Sequence, residues 1–143
     1  MTAPPPPNEP ARLAALRRSG ILDTPPEPEY DDLTRLAAAV CDAPIALVSL
    51  VDEARQWFKS RHGLDAAETH RDLAFCAHAI RDDGLLVVPD AAADPRFREN
   101  PLVTGDPRIR FYAGMPLADP GGHNLGTLCV IDRVPRTLTA AQA

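Results

Sequence analysis

The sequence lacks a long hydrophobic run: no apolar stretch approaches the roughly 18 to 20 residues that a membrane-spanning helix requires. Its first eight residues are rich in proline, whereas a secretory signal is basic and then apolar. These absences predict a chain that is neither exported nor inserted in a membrane, so we expect a cytoplasmic location.

Clustered positive charge is also missing. The formal net charge is -5, and the arginines are scattered among aspartates along the chain. A nucleic-acid backbone is bound by clustered cations, so nucleic acid is not an expected partner.

Cysteine is scarce, and known catalytic motifs are absent. Cys41, Cys76 and Cys129 are widely spaced, match no metal-ligand spacing and leave one thiol unpaired under any disulfide scheme, which fits a reducing cytoplasm. The sequence contains no GxxxxGK, GxGxxG, HExxH or GxSxG motif. We therefore expect a non-catalytic protein with no metal.

The length of 143 residues is enough for one hydrophobic core and too short for two ordinary domains. Residues 1–8 are predicted to be a disordered proline-rich tail, and residues 9–143 a single domain. Residues 139–142 have the spacing of a capping box just before the sequence stops, which predicts the start of a helix. We expect the domain to be cut from a longer signalling protein.

Two helices are predicted near the N-terminus. Asn8 is placed to cap a helix over Glu9–Ser19, and Thr24 and Glu27 have the spacing of a capping box for a second helix that ends near Cys41. In the second helix, an apolar stripe recurs at helical period and is predicted to lie on a sheet. The stripe consists of Tyr30, Leu33, Leu36, Ala37 and Val40.

Strands follow these helices. Ile45–Val51 is a nearly unbroken apolar run and is predicted to be a central strand, with residues 56–61 as its hairpin partner. Further strands are predicted at residues 85–89, 110–117 and 125–132; turn residues 119–122 join the last two, and Gly114 and Gly126 indicate close backbone approach. Residues 63–72 are predicted to be a loop and residues 73–81 a brief helix.

The segment around Cys76 and His78 is the candidate for chemistry. A thiol and an imidazole form a nucleophile pair, a metal pair or a chromophore attachment point, but residues two apart on a helix point in nearly opposite directions. Two alternatives stay open for Cys76, a packed or pocket-lining thiol and a reactive one. His78 either donates to a ligand or bonds a backbone carbonyl.

The long segment 90–108 has three prolines and one small helical turn at most, around residues 95–97. Its polar groups surround apolar side chains, a mixture that either closes over a small molecule or forms a salt-bridge lattice that fixes the loop. This segment, the Cys76 segment and the start of the strand at residues 110–117 supply the candidate ligand-binding residues. These are Phe75, Cys76, His78, Asp90, Phe97, Asn100, Arg110 and Tyr112.

Several stretches together resemble the GAF domain family of bacterial signalling proteins. The resemblance runs from Glu9 onward and rests on residues 21–27 (ILDTPPE), 44–52 (PIALVSLVD), 56–60 (QWFKS), 75–80 (FCAHAI), 94–97 (DPRF), 100–103 (NPLV), 109–117 (IRFYAGMPL) and 125–132 (LGTLCVID). Each stretch is weak alone, but the set is specific.

The resemblance implies an α+β, PAS-related fold. It has a twisted antiparallel sheet of five or six strands, with the terminal helices on one face and a pocket under short helices and loops on the other. It also implies an attached output module, either a histidine kinase or a diguanylate cyclase or phosphodiesterase, and a homodimer formed through the terminal helices.

Departures from family patterns limit which ligand is implied. The pattern of cyclic-nucleotide-binding members is not recognisable, and Cys76 is followed by Ala77 where bilin-binding members have a histidine. The spaced cysteines of the GAF-fold methionine-R-sulfoxide reductases are not evident either. The cofactor is therefore unknown and the small-molecule ligand unidentified.

Three functions stay open at this point. The first is a sensory domain of a two-component or related pathway, in which a small molecule controls the output module. The second is a dimerisation or protein-interaction module with a vestigial pocket, supported by Leu13 and Leu16 on the first helix. The third is a thiol-based redox enzyme centred on Cys76.

Overall fold

The structure, a computed structural model, describes residues 6–71, 74–105 and 108–138. Its helices are α1 (Glu9–Ser19), α2 (Pro28–Cys41), α3 (Cys76–Ala79) and α4 (Pro101–Thr104). Its strands are β1 (Ile45–Val51), β2 (Arg55–His62), β3 (Glu68–His70), β4 (Leu86–Val88), β5 (Phe111–Ala118) and β6 (Asn124–Asp132). No helix among these residues is long and apolar enough to cross a membrane.

The strands form one sheet in the order β3-β2-β1-β6-β5-β4, and every neighbouring pair is antiparallel. β1 is central and fully buried, as its unbroken apolar sequence predicts. It pairs with β6 from Ile45 opposite Ile131 to Leu50 opposite Gly126. The predicted α+β architecture with six strands is confirmed.

The sheet separates two packed layers. We call the side bearing Ala46 and Val130 the helix face, because Ala38 of α2 packs there, and Leu16 of α1 packs against Leu50 on the same side. The opposite side, the cavity face, bears Leu47 and Cys129 under α3 and α4. The predicted division between terminal helices and short helices is therefore correct.

The orientation predicted for α2 is wrong. Its residues on the sheet are Thr34, Ala38 and Cys41, whereas Leu33 is 46% exposed, Leu36 is 61% exposed and Val40 is 50% exposed. The rotation follows from size and polarity: small side chains let α2 approach the sheet closely, and the Thr34 hydroxyl lies 2.9 Å from that of Ser60. Periodicity located the apolar stripe but not the surface that it faces.

The predicted helix caps are only partly realised. Asn8 and Glu27 occupy the N-cap positions of α1 and α2, but neither side chain makes a capping hydrogen bond. Thr24 donates its hydroxyl to the Ile21 carbonyl and accepts from the Lys59 ammonium at 2.6 Å, so the predicted capping box does not form. Buried Lys59 takes the groups that would otherwise cap the helix.

Two short elements were missed in the loops. β3 lies within the predicted loop 63–72, and α4 lies within the long segment 90–108, where the Asn100 side chain accepts from the Leu102 N–H as an N-cap. α3 covers four residues and is shorter than predicted. Such elements are too brief for a periodic pattern, so only tertiary contacts define them.

Parts of two predictions fall outside the described residues. Within the predicted N-terminal tail, residues 1–5 are outside; Pro6 is buried, and its carbonyl accepts from the Glu9 N–H at 3.1 Å. The capping box predicted at residues 139–142 lies entirely outside.

Candidate functional site

A cavity of about 240 Å³ lies between the cavity face and the short helices. Strand alternation supplies its floor, since residues two apart in β1, β2, β5 and β6 point to the same side. The lining residues are Ile45, Leu47, Gln56, Phe58, Leu64, Ala66, Thr69, Phe75, Cys76, Leu102, Ile109, Tyr112, Cys129 and Ile131. The cavity is the size of a small organic molecule, and its wall is mostly apolar.

The cavity reaches the surface at one side. Ala66 is exposed, and Leu64, Thr69 and Leu102 are half-buried, whereas most of the other lining residues are buried. These four side chains form the mouth.

Among the described lining residues, none carries a charge. Gln56 is the polar exception, with 5% of its surface exposed. Its Nε2 donates to the Thr69 hydroxyl over 3.2 Å, while its Oε1 is buried and has no partner among the described residues. An unpaired buried acceptor is costly, and a ligand that brings a donor removes that cost.

The deepest part of the wall is a cluster of hydroxyl and thiol groups. The Cys76 sulfur lies 2.9 Å from the Thr127 hydroxyl and 3.1 Å from the Tyr112 hydroxyl. The Cys129 thiol lines the same wall, close enough for the two thiols to shift each other's pKa. Cys76 begins α3, while the other three side chains come from the neighbouring strands β5 and β6, so the fold brings them together from distant sequence positions.

These contacts change the acidity of the two thiols in opposite directions. Burial acts to raise the pKa of Cys76, but hydrogen bonds from Cys129, Thr127 and Tyr112 outweigh it and lower the pKa to about 7. The pKa of Cys129 is raised well above its ordinary value by its hydrogen bond to Cys76 and by burial. Burial and the Cys76 charge raise the pKa of Tyr112. Cys76 is therefore the more acidic of the two thiols.

Gly114 makes room for this cluster. A Cβ at position 114 would lie 2.1 Å from the Tyr112 hydroxyl oxygen and 2.6 Å from the nearest ring carbon. Any side chain there would push the hydroxyl away from Cys76. At Gly114 the group that approaches closely is therefore the tyrosine side chain and not the backbone of a neighbouring strand.

Three of the eight predicted ligand-binding residues line the cavity, namely Phe75, Cys76 and Tyr112. Phe97 lies behind the wall, stacked on Phe75 with ring centroids 4.1 Å apart. His78 contacts the edge of Phe97 at 4.7 Å and borders a separate shallow depression with Arg96.

The other three predicted residues stabilise loops outside the cavity wall. Asp90 accepts from the Ala92 N–H at 3.1 Å, and Asn100 caps α4. Arg110 donates to the carbonyls of Val103 and Ile109. These contacts fit the alternative in which the polar groups of the segment fix the loop. A role in ligand binding stays a prediction for all eight residues.

Sequence reasoning missed Gln56, Thr127 and Cys129 as members of the site. The alternation of β6 carries a usable signal, because Thr127, Cys129 and Ile131 share one face of the strand. Nothing local to Gln56 marks it as a cavity residue. Among the described residues, no group of three or more His, Cys, Asp or Glu side chains is placed to hold a metal ion.

The family model of the GAF domain matches residues 25–142. This match covers most of the chain and agrees with the six-stranded sheet and its helices. The chain belongs to the GAF domain family, whose members occur in signalling proteins.

A curated relative from Pseudomonas aeruginosa, named as a cyclic di-GMP phosphodiesterase, is 48% identical over 135 residues. The match covers 94% of this chain but 23% of the relative. The chain therefore spans about a quarter of that protein's length.

Solved structures share the fold at low sequence identity. The GAF domain of an Acinetobacter phosphoenolpyruvate-protein phosphotransferase has a TM-score of 0.62 and 18% identity, covering 92% of this chain and 83% of that one. A free methionine-R-sulfoxide reductase from Neisseria meningitidis, solved with its substrate, has a TM-score of 0.64 and 17% identity, covering 92% and 77%. Both likenesses show the fold alone.

Proposed function

We propose that this GAF domain is a non-catalytic sensory domain that binds a small, uncharged, mostly apolar molecule in the cavity and thereby regulates an attached output module. The observation that carries the proposal is an apolar cavity of about 240 Å³ whose wall holds one unpaired polar atom, the Gln56 Oε1. Apolar pockets with a few fixed polar groups are the usual form of small-molecule sites.

The charge of the wall argues for an uncharged ligand. A phosphate or carboxylate moved into this cavity would lose its hydration and meet no cation among the described lining residues. Cyclic di-GMP, which the name of the Pseudomonas relative mentions, carries two phosphates and fits this chemistry poorly. We assign any such substrate to the rest of the longer protein and not to this cavity.

Gln56 sets the ligand's polarity. Its free Oε1 favours a molecule with one hydroxyl or N–H donor over an isosteric hydrocarbon, because only the donor satisfies the buried oxygen. The expected preference is about fivefold to tenfold, the usual net value of one hydrogen bond.

The sheet offers a direct route from the cavity to the helices. In β1 and β6, Leu47 and Cys129 line the cavity while the adjacent Ala46 and Val130 pack with Ala38 of α2. A ligand that pushes the strands apart therefore shifts the surface on which α2 packs. This regulates the output module only if the ligand binds one arrangement of the strands and α2 more tightly than the other. We propose a phosphodiesterase, diguanylate cyclase or histidine kinase as the output module, in a cytoplasmic protein.

Binding of matched probes tests the proposal. Phenol, toluene and benzoate have similar shapes and differ in donor and charge, and their affinities are measured by calorimetry on the folded chain. Phenol should bind more tightly than toluene, and benzoate should not bind. The phenol preference should disappear in Gln56→Leu and persist in Gln142→Leu, a control glutamine far along the sequence. Equal binding of benzoate and phenol, or no binding of any probe, would contradict the proposal.

A second candidate function is dimerisation, and the exposed side of α2 favours it. Leu33, Leu36 and Val40 are three and four residues apart, the spacing of a helix-pairing seam, and they border an apolar groove of about 500 Å³ that continues to Leu85 and Met115. The occupant that fits this pattern is α2 of a second copy, because two identical stripes are self-complementary around a twofold axis.

Sedimentation equilibrium tests this second candidate. The wild-type chain should dimerise, and Leu36→Asp should shift it to monomer, because the charge would lie in the apolar contact. Arg35→Asp, on the neighbouring exposed position of the same helix, is the control and should leave the dimer intact. A wild-type monomer at high concentration would end this candidate.

A further inference from the structure

The two buried thiols of the cavity wall have a chemistry of their own. Cys76 and Cys129 both line the cavity and are each 1% exposed. The third cysteine, Cys41, does not line the cavity and packs on the helix face with Ala38 and Ala43. The sheet thus holds one thiol pair and one separate thiol.

We propose that Cys76 and Cys129 form an oxidisable dithiol, which a hydroperoxide that enters the cavity converts to an intramolecular disulfide. This inference does not rest on the ligand proposed above. It adds a second signal, the presence of a hydroperoxide, which produces a covalent change in the wall of the same cavity.

The surroundings of Cys76 suit the role of attacking sulfur. The Thr127 and Tyr112 hydroxyls at 2.9 and 3.1 Å and the Cys129 thiol converge on its sulfur. Hydrogen bonds from neutral donors stabilise a thiolate without a cation, and the thiolate is the nucleophilic form. The pKa of Cys76, lowered to about 7, agrees with this arrangement.

The position of Cys76 and Cys129 in the cavity wall also distinguishes them from thiols that are packed in a closed core. Access runs from the mouth at Ala66 through the apolar cavity to the two sulfurs, so a small hydroperoxide reaches them without unfolding the sheet. Cys129 lines the same wall as Cys76 and lies two residues from Thr127, whose hydroxyl contacts the Cys76 sulfur, so the second thiol is in the same part of the cavity as the first.

The reaction balances in two steps. The Cys76 thiolate attacks the terminal oxygen of the hydroperoxide; an S–O bond forms, the O–O bond breaks, and the departing alkoxide takes up the proton that Cys76 released, leaving as an alcohol. Cys129 then loses its proton and attacks the sulfenic sulfur; the S–S bond forms and hydroxide leaves, protonated, as water. Two thiols are oxidised, and the hydroperoxide is reduced to an alcohol and water.

The test uses the whole chain, reduced and desalted without oxygen, and treated with equimolar tert-butyl hydroperoxide or hydrogen peroxide. Non-reducing peptide mass spectrometry should show the peptides of Cys76 and Cys129 joined with the loss of two hydrogens, and dithiothreitol should separate them. If neither peroxide oxidises the protein, although its circular dichroism is that of a folded domain, the proposal is overturned.

Three variants separate the roles of the cysteines. Cys129→Ser should stop at a Cys76 sulfenic acid that dimedone traps, and Cys76→Ser should slow oxidation of Cys129 by about tenfold or more. Cys41→Ser should behave as wild type. If Cys76→Ser does not fold, the wild-type crosslink and the trapped sulfenic acid decide the question. Oxidation of Cys41 at the same rate as Cys76 would also refute the dithiol.

Discussion

The helix face and the cavity face of the sheet hold their buried polar groups differently. On the helix face the charged side chains have ion-pair partners: Arg12, with 1% of its side chain exposed, pairs with Glu9 at 2.5 Å, and buried Lys59 pairs with Glu27 at 2.6 Å. On the cavity face the buried side chains of Gln56 and Thr127 are uncharged, and the Gln56 Oε1 has no partner among the described residues.

This difference makes the helix face a fixed layer and the cavity face a receptive layer. Ion pairs out of water are stable only with complete partners, so the helix face has one well-defined arrangement of α1 and the segment before α2. An apolar cavity with a spare acceptor is incomplete until a ligand arrives. The same sheet thus holds the helices firmly on one side and leaves a site open on the other.

The largest expected loss of stability comes from a substitution that disrupts both faces of the sheet. In Gly126→Ala the new Cβ would lie 1.8 Å from the Ser49 carbonyl oxygen, so β1 and β6 would have to separate. We expect a loss of more than about 4 kcal/mol in the free energy of unfolding, measured in urea. Gly84→Ala, where a Cβ meets nothing within 4 Å, is the control and should keep wild-type stability.

The next effect belongs to the helix face. Arg12→Met keeps the packing of the side-chain stem but removes the partner of Glu9, and we expect a cost of about 3 kcal/mol in thermal or urea unfolding. Arg35→Met removes an ion pair whose side chains are mostly exposed, and it should cost less than about 0.5 kcal/mol. Equal costs would show that the buried pair is not the anchor of α1.

A third effect compares thiols on the two faces through pH. The folded pKa of Cys76 is about 7, below the unfolded value of about 8.5, so its ionisation stabilises the fold above the unfolded pKa and this contribution is lost as pH falls through 7. Wild type should therefore gain about 1 kcal/mol over Cys76→Ala between pH 7 and pH 8.5.

Cys41 should show the opposite sign. Burial raises the pKa of Cys41, so the folded state resists its ionisation, and wild type should lose stability relative to Cys41→Ala as pH rises above about 8.5. Urea titrations across this range measure both differences. The same pH slope for the two variants would refute the distinction between the thiols.

The smallest expected effect is on the outer side of α2. Leu36 is 61% exposed, so Leu36→Ser should change the free energy of unfolding by less than about 0.5 kcal/mol. Leu16→Ser, at a fully buried position of α1, should cost several times more. A large loss for Leu36→Ser would mean that α2 is rotated from the orientation described.

The sequence predicted the layered fold because its longest patterns are local. The apolar run Ile45–Val51 and the alternating β6 define the central pair, and their pairing is as expected. The facing of α2 escaped prediction because its apolar stripe is real but is turned away from the sheet, while small residues take the contact. Periodicity alone does not say which of two helix sides is buried.

The site was less predictable than the fold. Phe75, Cys76 and Tyr112 were predicted, but Thr127, another partner of Cys76, comes from β6, 51 positions later in the chain. Gln56 depends on which face of β2 meets the cavity, and a register shift in its partner strand at Val48 obscures that alternation. Long-range pairing, not composition, assembles this wall.

The central claim, that the receptive layer is the cavity face, is tested most directly by methyl NMR during a phenol titration. We expect saturable shifts for the methyl groups of Ile45, Leu102 and Ile131 around the cavity that are larger than any shift at Leu33 and Leu36. Saturable shifts confined to Leu33 and Leu36, or no saturable shift at any methyl group, would contradict it.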